Sequence, residues 1–290
     1  ICNVQKNQYT IQFWEMQIPA KLKGKFFDGK KTFPVVGDYV TFEYNTKGDS
    51  LILEVCERKS ILKRPFPNDH AIRKVKEQEM VANADIAFIV TSINEDFSVN
   101  RIIRYMTVAN EGGVKPVVIL TKADLTDNVD AYIEQVKEVE KDVDICAISV
   151  TTGFGMEELE KYLKPGNTIA LLGSSGVGKS TLVNALIGRD IMATKTIREA
   201  DSKGRHTTTY RQMFVLESGF TIIDTPGMRE ISISNVTKGL EETFDDIIEL
   251  SRNCKFSNCE HKSEPGCAVK KAVKDGILTE KRLKLYQRLK

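Results

Sequence analysis

Residues 173–181 read Gly173-Ser174-Ser175-Gly176-Val177-Gly178-Lys179-Ser180-Thr181 and are the firmest guide to the fold. The apolar run before them predicts a β-strand and the pattern after them predicts a helix, which is the setting that a phosphate-binding loop needs. Glycines let backbone N–H groups turn inward around a β-phosphate, and the helix N-terminus adds a favourable dipole. We expect all of these residues to bind nucleotide, with Lys179 as a catalytic contact to the β- and γ-phosphates and Ser180 as a Mg²⁺ ligand. The alternative is a Gly- and Ser-rich turn without a ligand.

A second motif, Asp224-Thr225-Pro226-Gly227, follows the apolar run Phe220 to Ile223. A carboxylate at the end of a strand can hold Mg²⁺ through water, and the Gly227 N–H can bind a γ-phosphate. Such a turn is common on its own, but here it lies downstream of a phosphate loop and ends a predicted strand. We therefore predict that Asp224 and Gly227 contact the nucleotide and that Asp224 is a Mg²⁺ ligand.

The segment Thr121-Lys122-Ala123-Asp124 ends another predicted strand and indicates that the base is guanine. In the related Asn-Lys-x-Asp pattern of G proteins, the Asp accepts two hydrogen bonds from guanine and the Lys stem packs on the base. Adenine lacks that pair of donors, so GTP is the expected nucleotide. Thr121 replaces the usual Asn, which puts the bracing of the local loop in doubt. Ser149 and Val150 open the segment Ser149 to Gly153, which fits the remaining base-contacting loop.

The order of these motifs is rotated, because an ordinary G domain begins with the phosphate loop and reaches the guanine motif later. From about residue 70, predicted strands alternate with predicted helices, which indicates a parallel sheet covered by helices. The sequence therefore predicts an α/β fold that contains a circularly permuted P-loop GTPase domain over residues 67–232, with GTP, GDP and Mg²⁺ as its ligands.

The segment Gly204-Arg205-His206-Thr207-Thr208-Thr209 lies where the first switch of a GTPase belongs. One threonine is expected to bind Mg²⁺ when the γ-phosphate is present; Thr208 is the candidate, although the sequence does not separate it from Thr207. Met228 stands where Ras-like proteins use Gln to orient water, and a thioether cannot do this. His206 is therefore the candidate catalytic group, since an imidazole can position water or accept its proton. A solvated loop histidine is the alternative.

Three cysteines and one histidine cluster late in the chain, with the spacing Cys254-x4-Cys259-x-His261-x5-Cys267. Three thiolates and one imidazole match a closed, tetrahedral Zn²⁺ site. We predict one structural zinc ion that stabilises a small C-terminal helical domain, residues 233–290, whose own core is modest. Three unrelated thiols beside one histidine would be the chance explanation.

The two ends of the chain are basic, although its formal net charge is only +2. Residues 1–65 carry 11 Lys and Arg against 7 Asp and Glu, and residues 251–290 carry 11 against 4, so the middle is acidic. This pattern favours ends that approach a polyanion, with solvated surface charge as the alternative.

Short predicted strands over residues 1–66 indicate a β-barrel of the OB type. Its aromatic residues are candidates for base stacking or for the barrel core, namely Phe26, Phe27, Tyr39 and Phe42.

Taken together, the chain resembles the ribosome small-subunit-dependent GTPase A family of circularly permuted GTPases. The resemblance rests on the rotated motifs, the Gly204–Thr209 segment, the Cys/His cluster, Val36-Gly37-Asp38-Tyr39-Val40 and Ala82-Asn83-Ala84-Asp85. It implies a cytoplasmic, monomeric factor that binds the 30S subunit and its 16S rRNA late in maturation and hydrolyses GTP when the subunit stimulates it. No apolar run reaches the roughly 20 residues needed to span a bilayer, so no membrane is expected.

Two other functions fit the sequence. In the first, the chain is an RNA-binding clamp in which nucleotide sets the conformation and turnover is incidental. In the second, it is a permuted GTPase of the large ribosomal subunit. The OB-like and zinc-binding segments argue against the second.

Overall fold

The computed structural model describes residues 1–5, 8–28, 32–65, 77–189, 212–225, 243–256 and 258–289. Five short strands form the described N-terminal part: β1 (Asn3–Gln5), β2 (Gln8–Phe13), β3 (Met16–Leu22), β4 (Val40–Glu43) and β5 (Ser50–Val55). They lie in the order β1-β2-β3-β5-β4 and enclose a small apolar core that includes Tyr9, Ile18, Phe26 and Ile52. These are the short strands that the sequence predicted, with a core of their own, and we call this part the barrel; among the described residues no pairing between β4 and β1 closes it.

The central part is a parallel sheet. Its parallel strands are β8 (Ile86–Ser92), β9 (Lys115–Thr121), β10 (Asp144–Ala147), β11 (Thr168–Leu172) and β13 (Thr221–Asp224). They lie in the order β10-β9-β8-β11-β13, and β12 (Gln212–Val215) pairs antiparallel with β13. Every residue of β8 is buried, because a strand in the middle of a parallel sheet is covered on both faces.

Helices flank this sheet, and the polar motifs lie together at the carboxyl ends of its parallel strands. They are α1 (Val99–Glu111), α2 (Val129–Lys137) and α3 (Lys179–Ile187). The carboxyl ends of parallel strands meet at one edge of a sheet, where open α/β folds bind their ligands. Thr121, Gly173 and Asp224 all end or directly follow such strands, so the topology gathers the three predicted motifs.

The barrel is continuous with the central sheet. Asn3 of β1 pairs with Gln212 of β12, and the Met213 N–H donates to the Cys2 carbonyl at 3.0 Å, which makes one sheet of 11 strands in the part of the chain that the structure describes. A separate hairpin of β6 (Ile61–Pro65) and β7 (Glu77–Ala82) lies beside the junction. Gly37 has a φ of 94°, and a Cβ built there would lie 2.0 Å from the Ala82 carbonyl oxygen. Only glycine therefore fits this close approach between the barrel and the hairpin.

Three helices form the described C-terminal part: α4 (Asp245–Ser251), α5 (Ala268–Lys274) and α6 (Glu280–Leu289). They pack on the side of the sheet that carries α1 and α2. Asn110 at the end of α1 donates to the Thr243 hydroxyl at 3.2 Å, and Lys281 pairs with Glu138 at 2.6 Å. Among the described residues, no helix is both long enough and apolar enough to cross a bilayer.

A buried ion pair holds the barrel against the hairpin. The Asp38 side chain is fully buried, and Arg58 binds both its carboxylate oxygens at 2.7 Å. Arg58 also contacts Glu79 of β7 at 2.8 Å, and these two carboxylates hold the pKa of the guanidinium above its ordinary value although burial lowers it. Removing one partner of a buried pair leaves an uncompensated charge.

We expect Arg58→Ala to lower the free energy of unfolding by about 3–5 kcal/mol, because Asp38 would stay buried without its partner. Urea denaturation followed by circular dichroism measures this. The matched control is Lys21→Ala, which removes a partner of Asp49 in a pair whose lysine is 60% exposed and should cost less than about 1 kcal/mol. Equal losses in the two variants would contradict the interpretation.

Candidate nucleotide site and metal centre

The predicted phosphate loop joins β11 to α3. Gly173 packs so closely on β8 that a Cβ there would lie 2.3 Å from the Val90 carbonyl oxygen. Gly178 has a φ of 96° and precedes the first turn of α3, whose free N–H groups suit an anion. Lys179 donates to the carbonyls of Gly173 and Ser174 at 2.8 and 2.6 Å, so its ammonium lies across the loop. Val177 is buried, whereas Ser175, Gly176 and Thr181 are exposed and Ser180 is half-buried.

The guanine motif braces this loop. The buried Thr121 hydroxyl donates to the Val177 carbonyl at 2.6 Å and lies 3.1 Å from the Thr91 carbonyl. Lys122 donates to the Gly176 carbonyl at 3.1 Å. The sequence left it in doubt whether a threonine could replace the usual asparagine as a brace. The structure shows that the Thr121 hydroxyl reaches from the guanine motif to the phosphate loop and contacts it there.

The two base-contacting segments lie side by side. Lys122 adopts a left-handed backbone conformation with a φ of 59°, and the Ala123 N–H then donates to the Ile148 carbonyl at 3.1 Å. Ser149 is buried, and its hydroxyl accepts the Thr152 N–H at 3.2 Å, which closes the turn that contains Val150. Asp124 is exposed beside them. An exposed carboxylate held between two ordered loops suits a base that offers paired donors.

The side chain of Asp224 is buried close to Lys179 of the phosphate loop. It is 4% exposed, and among the described residues its Oδ1 has no hydrogen-bond partner. Burial raises the pKa of this carboxyl, and the nearby Lys179 ammonium partly offsets the effect. The next residue, Thr225, donates its hydroxyl to the Leu171 carbonyl and so ties β13 to β11. A buried oxygen without a partner fits a Mg²⁺ ion or its bound water, because such a group is costly to leave unsatisfied.

One contact to the phosphate loop was not predicted from the sequence. Tyr105 on α1 is 3% exposed and is hydrogen-bonded to the Ser174 side chain; burial raises the pKa of this tyrosine and the hydrogen bond partly offsets that rise. The helical periodicity of α1 assigns Tyr105 to the apolar core, and no local motif distinguishes it. Gly227, Met228, and the segment Gly204–Thr209 with His206, Thr207 and Thr208 lie outside the described residues.

The four predicted zinc ligands come together between α4 and α5. Their ligand atoms all lie within 4.8 Å of one another. The His261 Nδ1 is 3.7 Å from Cys254 Sγ and 3.4 Å from Cys267 Sγ, and these two sulfurs are 3.9 Å apart. Tetrahedral zinc with Zn–S near 2.3 Å and Zn–N near 2.0 Å requires separations of about 3.5–3.8 Å. The three separations measured among Cys254, His261 and Cys267 are close to this range, and the donor set of the cluster fits zinc.

Further contacts hold the cluster in place. His261 has a φ of 60°, and its carbonyl accepts the Gln287 side-chain amide at 2.8 Å. The Cys267 sulfur accepts the Lys270 N–H at 3.4 Å and so caps α5. Cys259, His261 and Cys267 are buried, whereas Cys254 is half-buried. With four protein ligands there is no open position, which is typical of a structural site.

We expect Thr121→Val to weaken the binding of fluorescent GDP about tenfold, because a buried carbonyl loses its donor at a cost of about 1–3 kcal/mol. The matched control is Thr121→Ser, which keeps the hydroxyl and should bind GDP nearly as the parent does. Equal binding by all three proteins would show that the brace does not position the loop.

Comparisons with known proteins agree with this geometry. Residues 55–234 match the family model described as RsgA GTPase. The chain is 44% identical over 257 residues to the small ribosomal subunit biogenesis GTPase RsgA of Methanosarcina acetivorans, covering 88% of this chain and 69% of that protein. It is 45% identical over 278 residues to the corresponding RsgA 2 of Listeria monocytogenes, covering 95% of this chain and 78% of that protein.

Two crystal structures share the fold. YjeQ from Thermotoga maritima superposes with a TM-score of 0.72 at 30% identity, over 100% of this chain and 95% of that one. YloQ, described as a circularly permuted GTPase, superposes with a TM-score of 0.65 at 25% identity, over 99% of this chain and 91% of that one. The permuted α/β fold that the motif order predicted is therefore confirmed. A family model that matches most of the chain, together with relatives at these identities, shows that the chain belongs to the RsgA GTPase family.

Proposed function

We propose that this GTPase binds the 30S ribosomal subunit and assists its late maturation, hydrolysing GTP to GDP and phosphate when the subunit stimulates it. The main support is the braced loop pair, in which Thr121 and Lys122 of the guanine motif contact the phosphate loop directly. The relatives' names supply the ribosomal context. The slow intrinsic turnover expected from Met228 gives the subunit a step to accelerate.

The proposed nucleotide site divides into three parts. The loop 173–181 binds phosphates, with Lys179 as the catalytic cation. Thr121, Lys122, Ala123, Asp124, Ser149 and Val150 bind guanine, with Asp124 reading its paired donors. Ser180, Thr208 and Asp224 bind Mg²⁺, Gly227 binds the γ-phosphate, and His206 orients the attacking water. The unpartnered Oδ1 of Asp224 supports the metal part of this assignment.

We propose three functional units: an OB-type barrel over residues 1–66, the permuted G domain over 67–232 and a zinc-binding helical domain over 233–290. The basic ends are proposed to bind 16S rRNA phosphates, and such binding weakens as salt rises. In the barrel, Phe26 belongs to the core, whereas Phe27 and Tyr39 are 62% and 64% exposed and can stack on bases. We propose further that the protein acts as a cytoplasmic monomer.

We expect purified small subunits to raise the single-turnover rate of GTP hydrolysis by at least about tenfold, because a bound partner can complete the catalytic site. ATP, measured in parallel, should not be hydrolysed, and Lys179→Ala should remove the stimulated rate. If subunits bind but leave the GTP rate unchanged, the protein is an RNA-binding clamp rather than a subunit-stimulated enzyme.

We expect Cys267→Ser to reduce bound zinc, measured by mass spectrometry of the digested protein, from about one ion per chain to near zero. Its C-terminal helices should then unfold at a lower temperature. Cys56→Ser is the matched control, because Cys56 is an exposed thiol outside the cluster. Equal zinc content in both variants would rule out the proposed site.

A further inference from the structure

A groove of about 930 Å³ runs along the outer side of β10, the last strand at one end of the 11-stranded sheet. Helix α2 forms one wall, and a 3₁₀ turn at Met156–Leu159 lies along the other. Val136 of α2 and Leu159 pack into the two separate cores of the sheet, so the walls stand on opposite faces. The groove meets the guanine motif at Asp124 and extends away from it to Lys141, so most of it lies outside the nucleotide site.

The floor of the groove is an open strand edge. The Ile148 N–H donates to the Leu120 carbonyl at 2.8 Å, and N–H directions alternate along a strand. Val143 and Ile145 therefore point their N–H and C=O groups away from β9 and into the groove. Within the described ranges, these groups have no partner. Exposed strand edges template pairing with another chain, and folded proteins usually cover them.

The two walls differ in their apolar content. The α2 side carries Val129 and Ile133, which pack against the same core as Ile145, beside the charged Asp130 and Lys137 of the same helix. The side with the 3₁₀ turn carries Glu158 and Lys161. An extended peptide alternates its side chains between two faces, so these walls fit a strand that is apolar on one face and polar on the other.

The net charge of the groove determines which charge the bound strand should carry. Its lining carries six carboxylates against three lysines, and the carboxylates are Asp124, Asp127, Asp130, Asp142, Asp144 and Glu158. Acidic walls repel the phosphates of RNA and attract lysine and arginine. The groove thus contrasts with the two basic ends of the chain.

We propose that this groove, which we call the β10 groove, binds a basic, extended segment of a partner protein that pairs with Val143 and Ile145 as an additional strand. Backbone hydrogen bonds to the edge supply affinity, and the acidic lining selects Lys- and Arg-rich sequences. Because β10 spans four residues, the paired part of the segment is short, and binding is weak and sensitive to salt.

Fluorescence polarisation with the GDP-bound protein and a fluorescein-labelled Lys-Val-Lys-Val-Lys-Val peptide tests this proposal. Saturable binding is expected, and Asp142→Lys should weaken it on the order of fivefold because a surface charge pair is replaced by repulsion. Glu249→Lys is the matched control, an exposed carboxylate on α4 outside the groove, and should leave binding unchanged. Binding in the presence of saturating GDP distinguishes the groove from the guanine site.

Peptide controls separate strand pairing from simple charge attraction. A Lys-Pro-Lys-Pro-Lys-Pro peptide has the same charge but lacks alternate N–H donors, so it should bind at least about fivefold more weakly. Ile145→Pro removes one outward donor and should weaken binding similarly, with Ile145→Val as its control. The proposal is overturned by equal binding of both peptides, by the absence of saturable binding, or by displacement of the peptide with a uridine hexanucleotide. None of these outcomes depends on stimulation by the small subunit.

Discussion

The arrangement of the predicted nucleotide site depends chiefly on one buried hydrogen bond, from the Thr121 hydroxyl to the Val177 carbonyl, which the more exposed contact between Lys122 and the Gly176 carbonyl supplements. The guanine motif follows β9 and the phosphate loop follows β11, and β8 lies between these strands. Without a direct contact, each loop would keep only its local turn geometry. The bond fixes the distance between the part of the site that suits the base and the part that suits the phosphates. Both parts lie at the carboxyl ends of strands in one parallel sheet, so the circular permutation leaves their spatial relation intact.

Motifs with a defined chemical task were predictable from the sequence. The glycines and Lys179 of the phosphate loop identify a strand-to-helix turn, and the Cys/His spacing identifies four ligands that the structure brings within 4.8 Å. Each of these groups lies within a short segment, where spacing along the chain largely sets the geometry. Strands β8, β9 and β11 were likewise apparent as short apolar runs, since a buried parallel strand needs apolar side chains on both faces.

Contacts between distant segments were not predictable in this way. Tyr105 reaches Ser174 from a helix 69 positions earlier in the chain, and its place in an apolar stripe gives no sign of this contact. Arg58 finds Asp38 and Glu79 because the barrel and the hairpin meet there, and each residue alone reads as an ordinary surface charge. The role of Thr121 depended on how closely two loops approach. A pattern that is local in sequence does not contain such distances.

The pairing of β1 with β12 has a consequence for how the molecule can be divided. Among the described residues, strand β1 of the barrel covers one end of the central sheet, while β10 leaves the other end open. A protein truncated before the hairpin would expose β12 as a second bare edge, next to the strand that carries Asp224. Isolated G domains cut at that point would then be able to stack edge to edge into fibres. The N-terminal barrel therefore covers the β12 edge of the domain that follows it.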